Sequence, residues 1–241
     1  MCTQFFGALN DNLLKGILSF AVASGGIWAS QLGEGGQGYV SLCLTIPFIL
    51  LSGFAGQLAD RTGKDRVTRV VKGAEIGIAA VGLAGFMMNN LWVALSAMLL
   101  LAIQSAFFGP AKYGMIPELV RDSDLSQANG SINMFTNIAV ILGTLLAGPL
   151  HDLFHPTVNP ENPGAPVREA VTWAPGAAFL AMALAGFGAC LFIPRLKAMQ
   201  PGLKINWNPL GLYVGAVREM AKSPLLSVAL AWAFFYMVGM M

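Results

Sequence analysis

The chain has 241 residues, of which 56% are apolar and only 11% charged, with a mean hydropathy of +0.65. A water-soluble domain carries about 25% charged residues, so this chain has too little charge to cover a globule in water, and lipid must be part of its solvent. Cys2, Cys43 and Cys190 are odd in number, far apart and set in apolar sequence, which argues against a disulfide-stapled secreted scaffold.

A spanning helix needs about 20 mainly apolar residues. The first predicted helix covers residues 4–28, and the second covers the uncharged run 39–59. Residues 76–111 carry no charge, a run too long for one crossing at about 1.5 Å per residue. Asn89-Asn90 supplies the tight turn near its middle, which predicts two helices at 70–88 and 91–110. The fifth and sixth follow at 125–150 and 170–194. Pro201, Gly202, Asn206, Asn208 and Pro209 then interrupt any continuous helix. Leu210, Val214, Val217 and Met220 recur at helical spacing, so 195–223 reads equally as an amphipathic helix on the membrane surface or as a solvated linker. A seventh helix starts after Pro224 and reaches Met241 with no polar cap, so the chain reads as cut short. The expected fold is an all-α membrane protein. Its parts are a six-helix bundle over 1–194, a linker over 195–223 and the start of a second bundle over 224–241.

Basic residues are segregated. Arg61, Lys64, Arg66, Arg69 and Lys72 fall in the second connection, Lys112 and Arg121 in the fourth, and Arg195, Lys197, Lys204, Arg218 and Lys222 in the sixth. The opposite side has Arg168 alone, since Lys15 lies in the first helix. Lys and Arg are retained on the cytoplasmic face, which predicts a multi-pass inner-membrane protein with a cytoplasmic amino terminus. Trp28, Trp92 and Trp173 fall at predicted outer helix ends, where indole suits the interface.

The second connection reads Gly56-Gln57-Leu58-Ala59-Asp60-Arg61-Thr62-Gly63-Lys64-Asp65-Arg66. Any positive-inside loop is short and basic, but that does not explain Gly56, Asp60 and Gly63 at these spacings. The pattern resembles the signature loop between helices 2 and 3 of the major facilitator superfamily, G-x-L-A-D-R-x-G-R-[RK]-[RK]. Thr62 stands where an aromatic is common, and Asp65 interrupts the basic run. The resemblance implies a cytoplasmic gate made of Gly56, Asp60, Arg61, Gly63, Lys64 and Arg66. In the superfamily the acid at Asp60 faces the positive end of a helix in a second six-helix half, as helix dipoles favour. That partner half is absent from this sequence, and the bundle alone is not expected to transport.

The first helix carries Phe6-Gly7-Ala8-Leu9-Asn10-Asp11-Asn12-Leu13-Leu14-Lys15. Asp11 and Lys15 share a face and are able to pair. Ionisable groups inside a span face a cavity or a partner, although a later helix start would leave both at the interface. Pro110 and the flanking glycines are read as stopping the fourth helix, which puts Lys112 and Tyr113 at headgroup level. Taken together, the first-helix string, Phe108-Gly109-Pro110-Ala111-Lys112-Tyr113-Gly114-Met115-Ile116-Pro117-Glu118-Leu119 and Gln127-Ala128-Asn129-Gly130 resemble the lysophospholipid transporter branch of the superfamily. That branch also occurs as the membrane domain of fused acyltransferase/acyl-carrier-protein synthetases. The resemblance implies alternating access for a single-chain phospholipid such as lysophosphatidylethanolamine. Asn10, Asp11, Asn12 and Lys15 would serve the head group, Asp11 its ammonium and Lys15 its phosphate.

Asn133 and Asn137, one turn apart in the fifth helix, either line the cavity or bond a neighbouring helix. His151, Asp152 and His155 read as a solvated outer loop rather than a metal site, which needs three or four converging ligands. No phosphate-binding glycine loop, nucleophile elbow or paired catalytic carboxylates occur. The sequence therefore predicts no enzyme chemistry, cofactor, metal or nucleic-acid partner. A drug or metabolite exporter would share the signature loop but not the first- and fourth-helix strings.

Overall fold

Apolar runs of this length close their backbone hydrogen bonds within themselves, because lipid offers no others. The computed structural model describes residues 1–23, 26–33, 35–155, 157–159 and 162–240, with backbone alone at 157–159, 162–168, 209–210 and 236–240. In chain order the elements are α1 (Cys2–Val22), α2 (Ala29–Leu32), α3 (Gly36–Thr62), α4 (Lys64–Met87), α5 (Leu91–Leu119), a 3-10 turn (Asp122–Asp124), α6 (Leu125–Phe154), β1 (Thr157–Asn159), β2 (Asn162–Arg168), α7 (Ala174–Cys190), α8 (Pro209–Met220) and α9 (Leu225–Met240). Helices α3, α4, α5 and the stretch Asp122–Phe154 are each long and apolar enough to cross a membrane. With α1 and α7 they make the six long helices of one compact unit, Met1–Leu203. β1 and β2 pair antiparallel, a short hairpin that the all-helical reading did not foresee.

Helix α1 lies at the centre, packed against α3, α5, α6 and α7. Leu13, Leu14, Ile17, Leu18, Ala21 and Val22 recur at helical spacing and are buried. Contact with α6 is close at Gly143, where a Cβ would lie 2.6 Å from the Leu9 carbonyl oxygen. The α4–α5 turn falls where the two asparagines predicted it. Asn89 adopts a left-handed φ of 48°, and the Asn90 side chain accepts from the backbone N–H of Trp92 and Val93. Asn tolerates the first conformation and suits the second, an N-cap.

Three expectations are corrected. Pro110 does not stop the fourth helix: α5 runs through Pro110 and Pro117 to Leu119. A proline in the middle of a solvated helix costs about 3 kcal/mol, but inside a bundle neighbouring helices compensate the lost bond. Trp28 is not an interface anchor like the exposed Trp92 and Trp173. It is 1% exposed, stacks on Phe86, meets Phe154 edge to face, and donates from Nε1 to Asn89 Oδ1 at 2.9 Å. Lys72 is not a loop cation, since it lies two turns inside α4 and is buried.

The second unit, Lys204–Met241, holds α8 and α9. Asn208 Oδ1 caps α8 by accepting from Gly211 N at 3.0 Å, and Lys222 pairs with Glu219 just beyond it. A helix thus forms over the stretch left open between amphipathic helix and plain linker.

Candidate functional site

Six polar side chains from three helices meet inside the apolar bundle. Asn10 and Asp11 come from α1, Lys72 and Glu75 from α4, and Gln104 and Ser105 from α5. Lys72 and Glu75 are three apart, so one helical face presents both. They form an ion pair at 2.6 Å with each side chain only 1% exposed. Glu75 Oε1 accepts from Asn10 Nδ2 at 2.8 Å, and Oε2 accepts from Lys72 Nζ and from Gln104 Nε2 at 3.0 Å. The Lys72 ammonium also sits 4.7 Å from the centre of the Phe108 ring. Gly7 makes room for it, because a Cβ there would lie 2.6 Å from Lys72 Nζ. Asp11, half-buried beside this group, has both carboxyl oxygens within 3.1 Å of Ser105 Oγ.

Burying such charges is expensive, and a hydrophobic replacement of equal volume is often no less stable. Ionisable groups at this depth therefore point to function. Glu75 and Lys72 were missed by sequence reasoning, which counted Lys72 with the basic loop. The available signal was their spacing inside a segment already predicted as helix.

The other first-helix candidates scatter. Asp11 bonds Ser105 across the helix interface, and no ion pair joins it to Lys15 among the described residues. The expected Asp11–Lys15 pairing is therefore replaced by an interhelical contact. Asn12 Nδ2 donates to the Ala8 carbonyl of its own helix at 2.8 Å. Asn133 and Asn137 are exposed on α6, and no bond from either to a neighbouring helix occurs among the described residues. The polar contact between α1 and α6 is instead Gln4 Nε2 to Thr136 Oγ1, at 2.9 Å.

At the basic end the chain turns from α3 to α4 at Gly63, whose φ of 97° suits glycine alone. Lys64 Nζ bridges Asp60, at 3.3 Å, and Glu118 from the last turn of α5. Glu118 reaches it because α5 continues past both prolines. Asp65 pairs with Arg69 at 3.9 Å, and Arg69 donates to the Ile193 carbonyl after α7. The Asp60 carbonyl accepts from Gln200 N. Arg61 and Arg66 are exposed, and Gly56 lies against Pro110. Four segments are thus tied together around Lys64.

Lys112 is half-buried, with Nζ 4.1 Å from the centre of the exposed Tyr113 ring. It lines a cavity of about 320 Å³ together with Gln4, Phe108, Met115, Ile132 and Ile193. Among the described residues no carboxylate forms a salt bridge with it, so the cavity combines mainly apolar walls with one ammonium.

The family model of the Major Facilitator Superfamily matches residues 1–241. The chain belongs to that superfamily. It is a multi-pass membrane protein of the helical kind its composition demands. Among curated proteins it is similar to the lysophospholipid transporters LplT of Yersinia enterocolitica serotype O:8 and of Yersinia pestis strain Pestoides F. Each is 31% identical over 210 residues, which is 87% of this chain and 44% of the relative. The chain therefore spans less than half the length of these relatives. The Asp60–Lys64–Glu118 cluster shows how charges of the segment 56–66 are held within this one bundle.

Proposed function

We propose that this bundle is the amino-terminal half of a secondary transporter that moves lysophospholipid across a bacterial inner membrane by alternating access. One observation carries the reading: a charged polar cluster inside an apolar bundle, with a separate, mainly apolar cavity whose wall includes the Lys112 ammonium. A single-chain phospholipid has the matching parts, an ammonium and a phosphate on one acyl chain. Asp11, half-buried and joined by no salt bridge among the described residues, suits the ammonium, while Lys112 suits the phosphate. Lys15, Asn12, Asn133 and Asn137 remain candidates for the cavity wall. The names of the relatives support the same substrate class.

In this reading residues 195–223 link two halves and 224–241 open the second. The basic end is cytoplasmic, because Lys and Arg are retained there, and so is the amino terminus. Asp60 and Lys64 would exchange partners with the second half as the gate opens. In a fused form of the branch, an acyltransferase domain would take up the delivered lipid.

The test is uptake of labelled lysophosphatidylethanolamine by proteoliposomes of the full-length transporter. Uptake that unlabelled lysophospholipid abolishes, and that Asp11→Asn and Lys112→Ala each reduce, supports the reading. Competition by unrelated drugs but not by lysophospholipid would replace it with an exporter.

A further inference from the structure

We infer that α8 lies in the plane of the cytoplasmic leaflet, with its apolar face among the acyl chains and its basic stripe on anionic head groups. The placement rests on the reading above that 224–241 opens a second bundle, which brings α8 to the membrane.

Both ends of α8 are fixed locally. Asn208 caps it by accepting from Gly211 N at 3.0 Å, and Pro209 in its first turn has no N–H to leave unsatisfied. At the other end Pro224 disfavours helical backbone at Ser223, and Ser223 Oγ accepts from Leu225 N where α9 begins. The 12 residues between rise only about 18 Å, too short to cross a hydrocarbon core of about 30 Å.

The side chains divide by face. At about 100° per residue, Tyr213, Val214, Val217 and Met220 fall on one side. Gly211, Gly215 and Arg218 form a separate stripe, which Lys222 continues just beyond the helix. Glu219 lies nearly opposite the midpoint between Val214 and Val217. The two valines are 68% and 48% exposed, and Trp207, just before the cap, is 77% exposed. A Cβ added at Gly215 would have open space around it.

What covers the apolar face follows from its tether. Residues 221–224 alone separate Met220 from Leu225, and an extended chain gains at most about 3.5 Å per residue. The real reach is shorter, because Ala221, Lys222 and Ser223 donate back to the carbonyls of Val217, Glu219 and Met220. Helix α9 is apolar from Leu225 onward. As the start of a span it enters lipid at once, so the end of α8 is held at head-group depth. Charge selects the kind of surface. Over 204–241 the basic residues Lys204, Arg218 and Lys222 face one acid, Glu219. Glu219 is paired with Lys222 at 2.6 Å, whereas Arg218 forms no salt bridge among the described residues. A helix with an apolar face and a basic edge settles into the interface, and anionic lipids of the cytoplasmic leaflet attract its cations. An exposed indole at Trp207 suits the same depth.

Spin labels on the full-length transporter in proteoliposomes test this, in a background whose native cysteines are replaced. The vesicles are phosphatidylcholine alone or mixed with phosphatidylglycerol. Labels at Val214→Cys and Val217→Cys should collide with oxygen more than with a water-soluble nickel chelate, and labels at Gly215→Cys and Glu219→Cys the reverse. Hydrogen exchange on the wild type, which needs no cysteine replacement, should be about fivefold slower over 211–220 in the phosphatidylglycerol vesicles. Arg218→Gln combined with Lys222→Gln should erase that difference. Nickel contact at all four labels overturns the surface helix and leaves a solvated linker. Labels at 214 and 217 that neither reagent reaches overturn it as well, in favour of a protein surface. Exchange that ignores phosphatidylglycerol overturns the anionic partner. A label at Leu230→Cys, on α9, separates this from the reading beneath it. If it is shielded from nickel while Val214→Cys is not, the span stands and the surface helix falls. Nickel contact at Leu230→Cys removes the span, and the surface helix with it.

Discussion

Replacing Glu75 by Gln keeps the shape of the side chain and removes the counter-charge of Lys72. The two side chains are 1% exposed and 2.6 Å apart. At an effective dielectric of about 20 their attraction is about 6 kcal/mol. The Phe108 ring, the new amide and the remaining hydrogen bonds recover part of this, and stripping one partner from a buried pair destabilises by about 3–5 kcal/mol. Glu75→Gln should therefore lower the unfolding free energy of the detergent-solubilised full-length transporter by an amount in that range. Lys72→Met combined with Glu75→Leu removes both charges and should restore stability to within about 1–2 kcal/mol of wild type. Thermal and denaturant unfolding of the two variants, compared with wild type, measures both values. A Glu75→Gln protein as stable as wild type would show that Lys72 is hydrated or uncharged, and would refute the buried-pair account. A double variant much worse than the single one would refute it equally.

Other consequences follow from close contacts and turn geometry. Gly143→Ala places a methyl group 2.6 Å from the Leu9 carbonyl, so overpacking between α1 and α6 should destabilise by about 1–3 kcal/mol, read as a fall in melting temperature. Gly63→Ala forces a side chain onto a φ of 97° and should destabilise by about 1–3 kcal/mol, with faster proteolysis at the α3–α4 loop. Asn89→Ala removes the acceptor of the buried Trp28 indole and disfavours the left-handed turn. Together these should destabilise by about 1–3 kcal/mol, with a shift in tryptophan emission as the check.

How much could be read from the chain alone depends on how local each feature is. The six spans were legible because backbone self-satisfaction in lipid acts on every stretch of about 20 apolar residues. The turn at Asn89-Asn90 was legible because left-handed φ and N-capping are preferences of the residues themselves. Gly63 was legible for the same reason. Pro110 misled, because its effect on a helix depends on the neighbours that compensate it. Trp28 misled too: an indole at a helix end sits at the interface unless Phe86 and Phe154 enclose it, and those lie far away in sequence. Within the candidate site, Asn10, Asp11 and Lys112 were singled out from the chain, while their partners were not. Asp11 was matched to Lys15 on its own helix, whereas the hydroxyl that serves it is Ser105, 94 residues on.

Composition, hydropathy and the loop at 56–66 by themselves determined a polytopic helical bundle with a superfamily turn. Those signals are one-dimensional and survive any packing. Only the tertiary structure decided that Lys72 is a buried ion-pair partner and not a loop cation, that Glu75 is the centre of the polar network, and that Glu118 shares Lys64 with Asp60. The reason is physical. Whether a charge is tolerable depends on which donors and acceptors the neighbouring helices bring within about 3 Å, and helical register against those neighbours is a property of the packed bundle alone.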